Sequence, residues 1–183
     1  MSESKYGVLK NTVMDEPGLL RTLTRLSHEI VERDKGAENV VLVGIRRRGV
    51  PIARFVKDRL LEIAGQDVPC GELDISFYRD DIEKKTDMPK VEPPKFDFSV
   101  ENKTVILVDD VLYTGRTARA AIEAIFTLGR PAAIQLLVVV DRGHRELPIR
   151  ADFVGKNLPT SRSERVRVLV PEFDRRFGVE LYE

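Results

Sequence analysis

The sequence is poor in the residues that build metal centres and covalent cross-links. It has one cysteine, Cys70, and two histidines among 183 residues. A single cysteine excludes an internal disulfide, and one cysteine with two histidines leaves too few ligands for a four-ligand zinc cluster. Because disulfides are typical of oxidising compartments, this composition fits a reducing cytosol best, and we expect a cytoplasmic protein.

The chain also lacks long apolar runs and an excess of either charge. No stretch approaches the roughly 20 apolar residues that a membrane span requires, and the N-terminal residues show no basic start followed by an apolar segment. Lysine and arginine together number 30, as do aspartate and glutamate, so a nucleic-acid site must be a local basic patch. We expect a soluble protein without membrane contact, and its length predicts one domain, residues 1–183.

Strand and helix patterns alternate along most of the chain. Apolar residues recur at helical spacing from residue 16 to 34, with Asp15 as the N-cap and Pro17 in the first turn. Short β-branched runs between helical patterns predict parallel strands covered by helices, an α/β fold of three layers with a mostly parallel central sheet. The predicted strands are residues 39–45, 72–78, 104–109 and 133–140, with antiparallel strands near 165–170 and 179–182; the other predicted helices are residues 50–64 and 117–128, and residues 79–102 are predicted to form a long loop.

The most informative segment is residues 105–117, in which an apolar strand ends in two adjacent carboxylates. Asp109 and Asp110 follow four apolar residues, so they are expected at the carboxyl end of a central strand, where open α/β sheets bind ligands. Thr114 and Thr117 then precede a helix, whose first N–H groups suit a phosphate. Carboxylates that accept hydrogen bonds from ribose hydroxyls beside such a loop predict a sugar-phosphate site. The alternative is an ordinary buried strand followed by a capped helix, but that structure has no need for two adjacent carboxylates.

A second candidate site is the arginine-rich loop between the first predicted parallel strand and the helix after it. Residues 44–49 hold Arg46, Arg47 and Arg48 between two glycines. Because this loop also follows a parallel strand, it should open at the same sheet edge as the carboxylates, and its guanidinium groups suit a pyrophosphate. The alternative is an exposed basic turn without a ligand.

Residues 105–117 resemble the motif by which type I phosphoribosyltransferases bind phosphoribosyl pyrophosphate (PRPP). The resemblance implies the type I fold, in which helices flank a mostly parallel sheet beside a small hood region. It implies that Asp109 and Asp110 bind the ribose, that residues 114–117 bind the 5′-phosphate, and that Arg47 and Arg48 contact the pyrophosphate. The transfer passes through a cation-like sugar and needs no covalent nucleophile, so the predicted catalytic residues are Asp109, Asp110 and Arg48. The predicted substrate-binding residues in these two loops are Arg47, Arg48, Asp109, Asp110, Val111, Leu112, Tyr113, Thr114, Gly115, Arg116 and Thr117.

The implied substrate brings expectations about a cofactor and a lid. Pyrophosphate usually arrives with Mg²⁺, and we expect the ion to be held mainly by PRPP oxygens and water, without dedicated metal ligands from the chain. Residues 78–81, at the start of the long loop, are expected to close over the site as a lid.

Residues 23–29, residues 140–157 and residues 159–161 resemble the PyrR family of pyrimidine operon attenuation regulators. The resemblance implies a bifunctional protein that makes UMP from uracil and PRPP. With a uridine nucleotide (UMP or UTP) bound, it would also attach to the leader mRNA of pyrimidine biosynthetic operons and promote transcription termination. It further implies a homodimer or a higher homo-oligomer, and places Arg142 and Val166 where the nucleotide and base are held. The implied RNA-binding residues are Thr24, Arg25, His28, His144, Arg145, Arg150 and Lys156.

A local excess of positive charge favours an RNA-binding surface. Residues 142–167 hold seven basic and three acidic residues, an excess of four in a neutral protein, and phosphate contacts supply most RNA affinity. Two alternatives stay open: a salvage phosphoribosyltransferase whose basic surface is only solvated, and an RNA-binding regulator with little catalytic activity. For His28 and His144 the alternative is a surface histidine without a role.

Overall fold

The computed structural model describes residues 6–76 and 94–183 and contains two sheets in these ranges. The larger sheet is parallel, in the order β3-β2-β4-β5-β6, with β2 Val40–Ile45, β3 Cys70–Leu73, β4 Thr104–Leu112, β5 Ala133–Asp141 and β6 Phe153–Asn157. The smaller, antiparallel sheet has the order β1-β8-β7, with β1 Leu9–Met14, β7 Arg165–Leu169 and β8 Gly178–Tyr182, and we call it the hood sheet. The described helices are α1 Glu16–Arg33, α2 Gly49–Ala64, α3 Arg116–Phe126 and the short α4 Pro171–Asp174.

Helix α1 forms as its sequence predicts. The Asp15 carboxylate accepts a hydrogen bond from the Gly18 N–H group at 2.8 Å, and a proline stands in the first turn. The apolar stripe of Leu19, Leu23, Leu26 and Ile30 is fully buried. Burying each of these side chains contributes about 1.5–3 kcal/mol, so packing of this stripe, more than helix propensity, fixes α1 against the sheet.

The parallel sheet is buried on both faces, which confirms the predicted three layers. Successive strand residues point to opposite faces, and both faces belong to hydrophobic clusters. Helices α1 and α2 cover one face, over Leu42, Ile106 and Leu137. Helix α3 covers the other, where its alanines pack over Val43, Leu107 and Val138. None of the helices in residues 6–76 and 94–183 is long and apolar enough to cross a membrane.

Several element boundaries differ from those predicted. Strand β3 spans Cys70–Leu73, and residues 74–76 of the predicted strand 72–78 are not in a strand. Strand β4 runs three residues past the predicted end at 109, because Val111 and Leu112 pair with β5. The sequence patterns gave no prediction of β1, β6 or α4. Strand β1 was missed because it has mostly exposed side chains without the apolar alternation that marks a strand. The expected lid, residues 78–81, lies outside the described residues.

Candidate active site

The two adjacent carboxylates lie near the end of β4, at the carboxyl edge of the sheet. The N–H group of Asp110 donates to Asp109 Oδ1 at 2.9 Å, and the N–H group of Val111 donates to Asp110 Oδ1 at 2.8 Å. Desolvation, together with the neighbouring Asp110 carboxylate, raises the pKa of Asp109 well above its usual range. Desolvation also raises the pKa of Asp110, although hydrogen bonds and the Arg48 charge oppose this. Hydroxyl donors or a cation carried by a ligand would therefore stabilise the ionised forms of both carboxyl groups.

One cavity joins this carboxylate pair to the loop that we call the arginine loop, residues 46–48. The cavity has a volume of about 470 Å³, within the range of about 300–1,000 Å³ that is typical of small-molecule sites. Its lining is mainly polar and includes both guanidinium groups and carboxylates. The lining residues are Arg46, Arg47, Asp74, Ile75, Ser76, Asp109, Asp110, Val111 and Thr117. The fold thus brings together the two segments that the sequence singled out.

The phosphate loop, residues 113–117, connects β4 to α3. Gly115 is the N-cap residue of α3 and provides no side-chain cap, while the Arg116 N–H group donates to Thr114 Oγ1 at 3.3 Å. A recess of about 280 Å³ is lined by this loop together with Asp109 and Leu112. A helix start that opens into a recess is suited to an anion, because its N–H groups and the helix dipole both favour negative charge.

The segment after β5 braces the phosphate loop from behind. The N–H groups of Glu146 and Leu147 both donate to the Thr114 carbonyl oxygen, at 2.9 and 3.1 Å. The Arg145 guanidinium donates to the Tyr113 carbonyl oxygen at 2.6 Å and to the Asp141 carboxylate at 2.5 Å. These hydrogen bonds hold the loop backbone in place.

Arg142 and His144 lie next to this bracing segment, around the Tyr113 ring. Arg142 is buried, and its guanidinium carbon lies 4.1 Å from the centre of that ring, a cation–π geometry. Its guanidinium also donates to Thr160 Oγ1 at 3.1 Å and to the Ser161 carbonyl oxygen at 2.9 Å. His144 Nε2 lies 2.5 Å from the Thr160 carbonyl oxygen. Arg142, His144 and Thr160 line a second cavity of about 440 Å³.

The arginine loop splits into residues that face the cavity and one that does not. Arg46 and Arg47 line the cavity, and Arg46 pairs with Asp74 at 3.6 Å. Arg48 turns instead towards the hood sheet, where it donates to the Val168 carbonyl oxygen at 2.8 Å and pairs with Asp174. The predicted direct role of Arg48 stays a prediction, whereas Arg46 was missed although it stands in the same loop.

Other cavity residues were also missed by sequence reasoning. Asp74 follows β3 and accepts hydrogen bonds from the Ser76 hydroxyl and, at 3.0 Å, from the Ser76 N–H group. These bonds, with a contribution from Arg46, hold the pKa of Asp74 below its usual value. The position of Asp74 just after a strand of the parallel sheet could have identified it as a site residue. It was missed because that strand was predicted to run to residue 78.

A close backbone approach explains the glycine that ends the arginine loop. A Cβ atom built on Gly49 would lie 2.2 Å from the Val108 carbonyl oxygen, closer than any side chain allows. Helix α2 therefore starts directly against β4, one residue before the carboxylate pair.

The predicted RNA-binding residues fall into two groups. Thr24, Arg25 and His28 lie on the outer side of α1, and the Arg25 guanidinium donates to the Gly155 carbonyl oxygen of β6 at 2.8 Å. Lys156 is exposed on the same strand, and we call these four residues the α1–β6 surface. Arg150 is exposed just before β6, whereas His144 and Arg145 belong to the surroundings of the phosphate loop. Val166 lies in β7 opposite Leu181 and is not among the residues that line the carboxylate cavity.

The donor set suits a divalent cation that arrives with a ligand. In the described ranges, no group of three or more histidine, cysteine, aspartate or glutamate side chains is arranged to hold a metal ion. The raised pKa values of Asp109 and Asp110 nevertheless mean that a cation nearby would favour their ionised forms. An ion such as Mg²⁺, coordinated mainly by phosphate oxygens and water, fits these residues.

Known proteins resemble this chain in sequence and in fold. The phosphoribosyl transferase domain family matches residues 11–168. A bifunctional protein PyrR of Clostridioides difficile (strain 630) is 56% identical over 96% of this chain and 99% of its own length. One from Caldicellulosiruptor bescii is 57% identical over 88% of this chain and 89% of its own. Two solved structures of hypoxanthine phosphoribosyltransferases share the fold. The enzyme from Trypanosoma cruzi is 18% identical with a TM-score of 0.72, over 98% of this chain and 99% of that chain. The enzyme from Staphylococcus aureus is 20% identical with a TM-score of 0.72, over 96% of this chain and 92% of that chain. The chain therefore belongs to the phosphoribosyltransferase family and, within it, to the bifunctional PyrR proteins.

Proposed function

We propose that the cavity at Asp109 and Asp110 is where this chain, a uracil phosphoribosyltransferase, converts uracil and PRPP to UMP and pyrophosphate. One observation carries the assignment: the carboxylate pair, the start of the phosphate loop helix and the arginine loop line contiguous space at one sheet edge. A substrate with a ribose, a 5′-phosphate and a pyrophosphate presents groups that match all three.

The proposed chemistry uses positioning and charge. Asp109 and Asp110 accept hydrogen bonds from the ribose hydroxyls, and residues 114–117 hold the 5′-phosphate. The bond from the ribose C1′ to pyrophosphate breaks as uracil N1 bonds to C1′, and the N1 proton passes to the departing pyrophosphate. Arg47, with Arg46 beside it, faces the departing pyrophosphate, while the two carboxylates favour positive charge on the sugar. No covalent nucleophile takes part.

Mg²⁺, when bound through PRPP, neutralises part of the pyrophosphate charge and makes it a better leaving group. Asp109 and Asp110 are the residues that would balance the charge of the ion. The chain's own contribution is to hold these carboxylates and the arginine loop in the lining of one cavity.

The remaining substrate residues surround the phosphate loop. Val111, Leu112 and Tyr113 continue from the carboxylates into the loop, and Arg142 is stacked on Tyr113. We propose that Arg142 and the backbone near Val166 contact the nucleotide on the side of its base, while its ribose and phosphate lie at the carboxylates and the phosphate loop. We also propose that residues 1–183 act as one cytoplasmic phosphoribosyltransferase domain and assemble as a homodimer or a higher homo-oligomer.

UMP formation from uracil and PRPP with Mg²⁺ tests the catalytic assignment. The Asp110→Asn variant keeps the shape of the side chain but loses its charge, and we expect kcat/KM to fall about 100-fold. Asp67→Asn is the matched control, because Asp67 is exposed and does not line the cavity. Its carboxylate pairs with the Lys57 ammonium group at 2.9 Å. An unchanged rate in Asp110→Asn would refute the assignment.

The chain is also a regulator of pyrimidine operons, and we propose that it acts by binding leader mRNA when UMP or UTP is bound, which promotes transcription termination. The α1–β6 surface supports this proposal, since Arg25, His28 and Lys156 are exposed there and Arg150 is exposed nearby. Phosphate contacts from such side chains give affinity that falls steeply with salt.

Gel shifts with a pyrimidine-operon leader RNA test this second activity. We expect binding that strengthens when UMP is added and weakens as salt is raised from 50 to 200 mM by about tenfold or more. Binding that is equally weak for the leader and for an unrelated hairpin, with or without UMP, would favour a salvage enzyme without a regulatory role.

A further inference from the structure

Asp174 connects the hood sheet to the arginine loop. It ends α4, and its side chain is only 5% exposed. The carboxylate accepts hydrogen bonds from the guanidinium groups of Arg48 and Arg167 and, at 3.0 Å, from the Val170 N–H group. Although burial opposes ionisation, these donors hold the pKa of Asp174 below its usual value. Asp174 is therefore an ionised carboxylate whose bonds fix two cations.

Arg48 is the partner that belongs to the arginine loop. It follows Arg47, which lines the cavity, and precedes Gly49, which is pressed against the Val108 carbonyl oxygen. Its charge acts on Asp110, where it lowers the pKa against the effect of desolvation. The arginine loop is thus held by β4 at one end and by the hood segment through Asp174.

Two arginines share the carboxylate of Asp174. Arg48 belongs to the arginine loop and Arg167 to the hood sheet, so the carboxylate joins these two parts of the chain. A buried ion pair is weak support for stability alone, because desolvation offsets much of the attraction between the partners. Its better-supported use is to fix a geometry, and the geometry fixed here is that of a substrate-facing loop.

We propose that Asp174 is a positioning residue for PRPP: by holding Arg48 against the hood, it sets the arginine loop so that Arg47 faces the cavity before PRPP arrives. The inference rests on the proposed transferase function. Asp174 acts through Arg48 and does not touch the reacting atoms.

Steady-state kinetics of the full chain with uracil and PRPP test the proposal. In Asp174→Asn we expect the KM for PRPP to rise about tenfold, whereas kcat and the KM for uracil change by less than about twofold. Asp174→Glu, which keeps the charge, should recover most of the PRPP affinity. Arg176→Ala is the matched control, because Arg176 pairs at 2.6 Å with Glu180 of the same hood sheet but does not contact Arg48.

A double-mutant cycle separates positioning from general support of the fold. Arg48→Gln should raise the KM for PRPP as Asp174→Asn does, and the double variant should be no worse than Arg48→Gln alone. Additive effects, or an equal rise of both KM values with a lowered melting temperature, would overturn the proposal. If Asp174→Asn does not fold, Arg48→Gln decides, since an unchanged KM for PRPP in that variant contradicts the proposal.

Calorimetric binding of PRPP with Mg²⁺ keeps this test independent of turnover. A wild-type chain that binds PRPP but forms no UMP would refute the transferase function and leave the positioning role measurable. PRPP affinity that is equal in the wild type and in Asp174→Asn would refute the positioning role while the transferase function stands.

Discussion

The carboxylate cavity and the α1–β6 surface handle charge in opposite ways. In the cavity, Asp109 and Asp110 stand side by side at a desolvated position that raises the pKa of both. On the α1–β6 surface, the charge of Arg25 is matched by Glu29 and by the Gly155 carbonyl oxygen. Ionised carboxylates in the cavity thus lower the free energy of unfolding until a ligand binds, whereas the charges of the α1–β6 surface change it little. We infer that substitutions in the first region trade stability against activity, whereas those in the second change affinity alone.

The largest effect is expected for Asp109→Asn in the carboxylate cavity. We expect activity to fall about 100-fold, while the melting temperature at pH 7 rises, because a neutral amide removes the cost of a desolvated charge. The pKa of Asp109 is higher in the folded state than in the unfolded state, so the folded chain binds its proton more tightly and loses stability as pH rises through that pKa. The gain in melting temperature should therefore disappear in acid, where the wild-type carboxyl is also neutral.

Thermal unfolding of the wild type, Asp109→Asn and the control Asp67→Asn between pH 4 and pH 8 checks this expectation. Equal melting temperatures of the wild type and Asp109→Asn across this range would show that the cavity carries no electrostatic cost.

Gly49→Ala should damage both stability and activity. The added Cβ meets the Val108 carbonyl oxygen, and overpacking of this kind costs about 1–3 kcal/mol. The displaced start of α2 should also move Arg47 and raise the KM for PRPP. Urea unfolding combined with kinetics measures both effects, and a variant with unchanged stability would mean that α2 accommodates the methyl group without the close contact seen here.

Arg145→Ala distinguishes the two groups of predicted RNA-binding residues. Because Arg145 donates to the Tyr113 carbonyl oxygen, its loss should loosen the phosphate loop and raise the KM for PRPP by about fivefold to tenfold. The salt dependence of RNA binding measured without nucleotide should stay close to that of the wild type. If the KM for PRPP is normal and RNA affinity is lost, Arg145 contacts RNA, as the sequence predicted.

The smallest effect is expected for Lys156→Ala on the α1–β6 surface. Loss of one phosphate contact should weaken binding of leader RNA several-fold and reduce the slope of log affinity against log salt by about 1. Catalysis and melting temperature should not change. Lys103→Ala is the matched control, since Lys103 precedes β4 at the opposite edge of the sheet, and equal RNA affinities of the two variants would argue against a role for Lys156.

Local patterns predicted most of the helices and strands and the position of the carboxylate pair in β4, because strand and helix periods depend on neighbouring residues. The burial of both sheet faces and the capping of α1 by Asp15 follow from such patterns. Strand β6 was missed because it is short and interrupted by Gly155, which is needed where the strand meets the Val139 carbonyl oxygen. That glycine is needed because of a neighbouring strand, and the residues next to it in the sequence do not indicate this.

Side-chain direction was the less predictable part of the site. The sequence does not distinguish Arg46, Arg47 and Arg48, because they are identical neighbours. Of the three, only Arg48 pairs with Asp174, which lies 126 residues later in the chain. Arg145 likewise turns to the Tyr113 carbonyl oxygen, 32 residues earlier. Contacts between distant segments decide which cation faces substrate, which faces RNA and which fixes a loop.

We infer that Asp109, Asp110 and the phosphate loop together bind the sugar and monophosphate of the nucleotide. A crystal structure of the chain soaked with UMP would show whether they do. We predict ribose hydroxyls within hydrogen-bond distance of the two carboxylates and the phosphate at the backbone N–H groups of residues 114–117. Nucleotide bound only elsewhere, for example in the cavity beside Arg142 and His144 with both carboxylates untouched, would contradict the account.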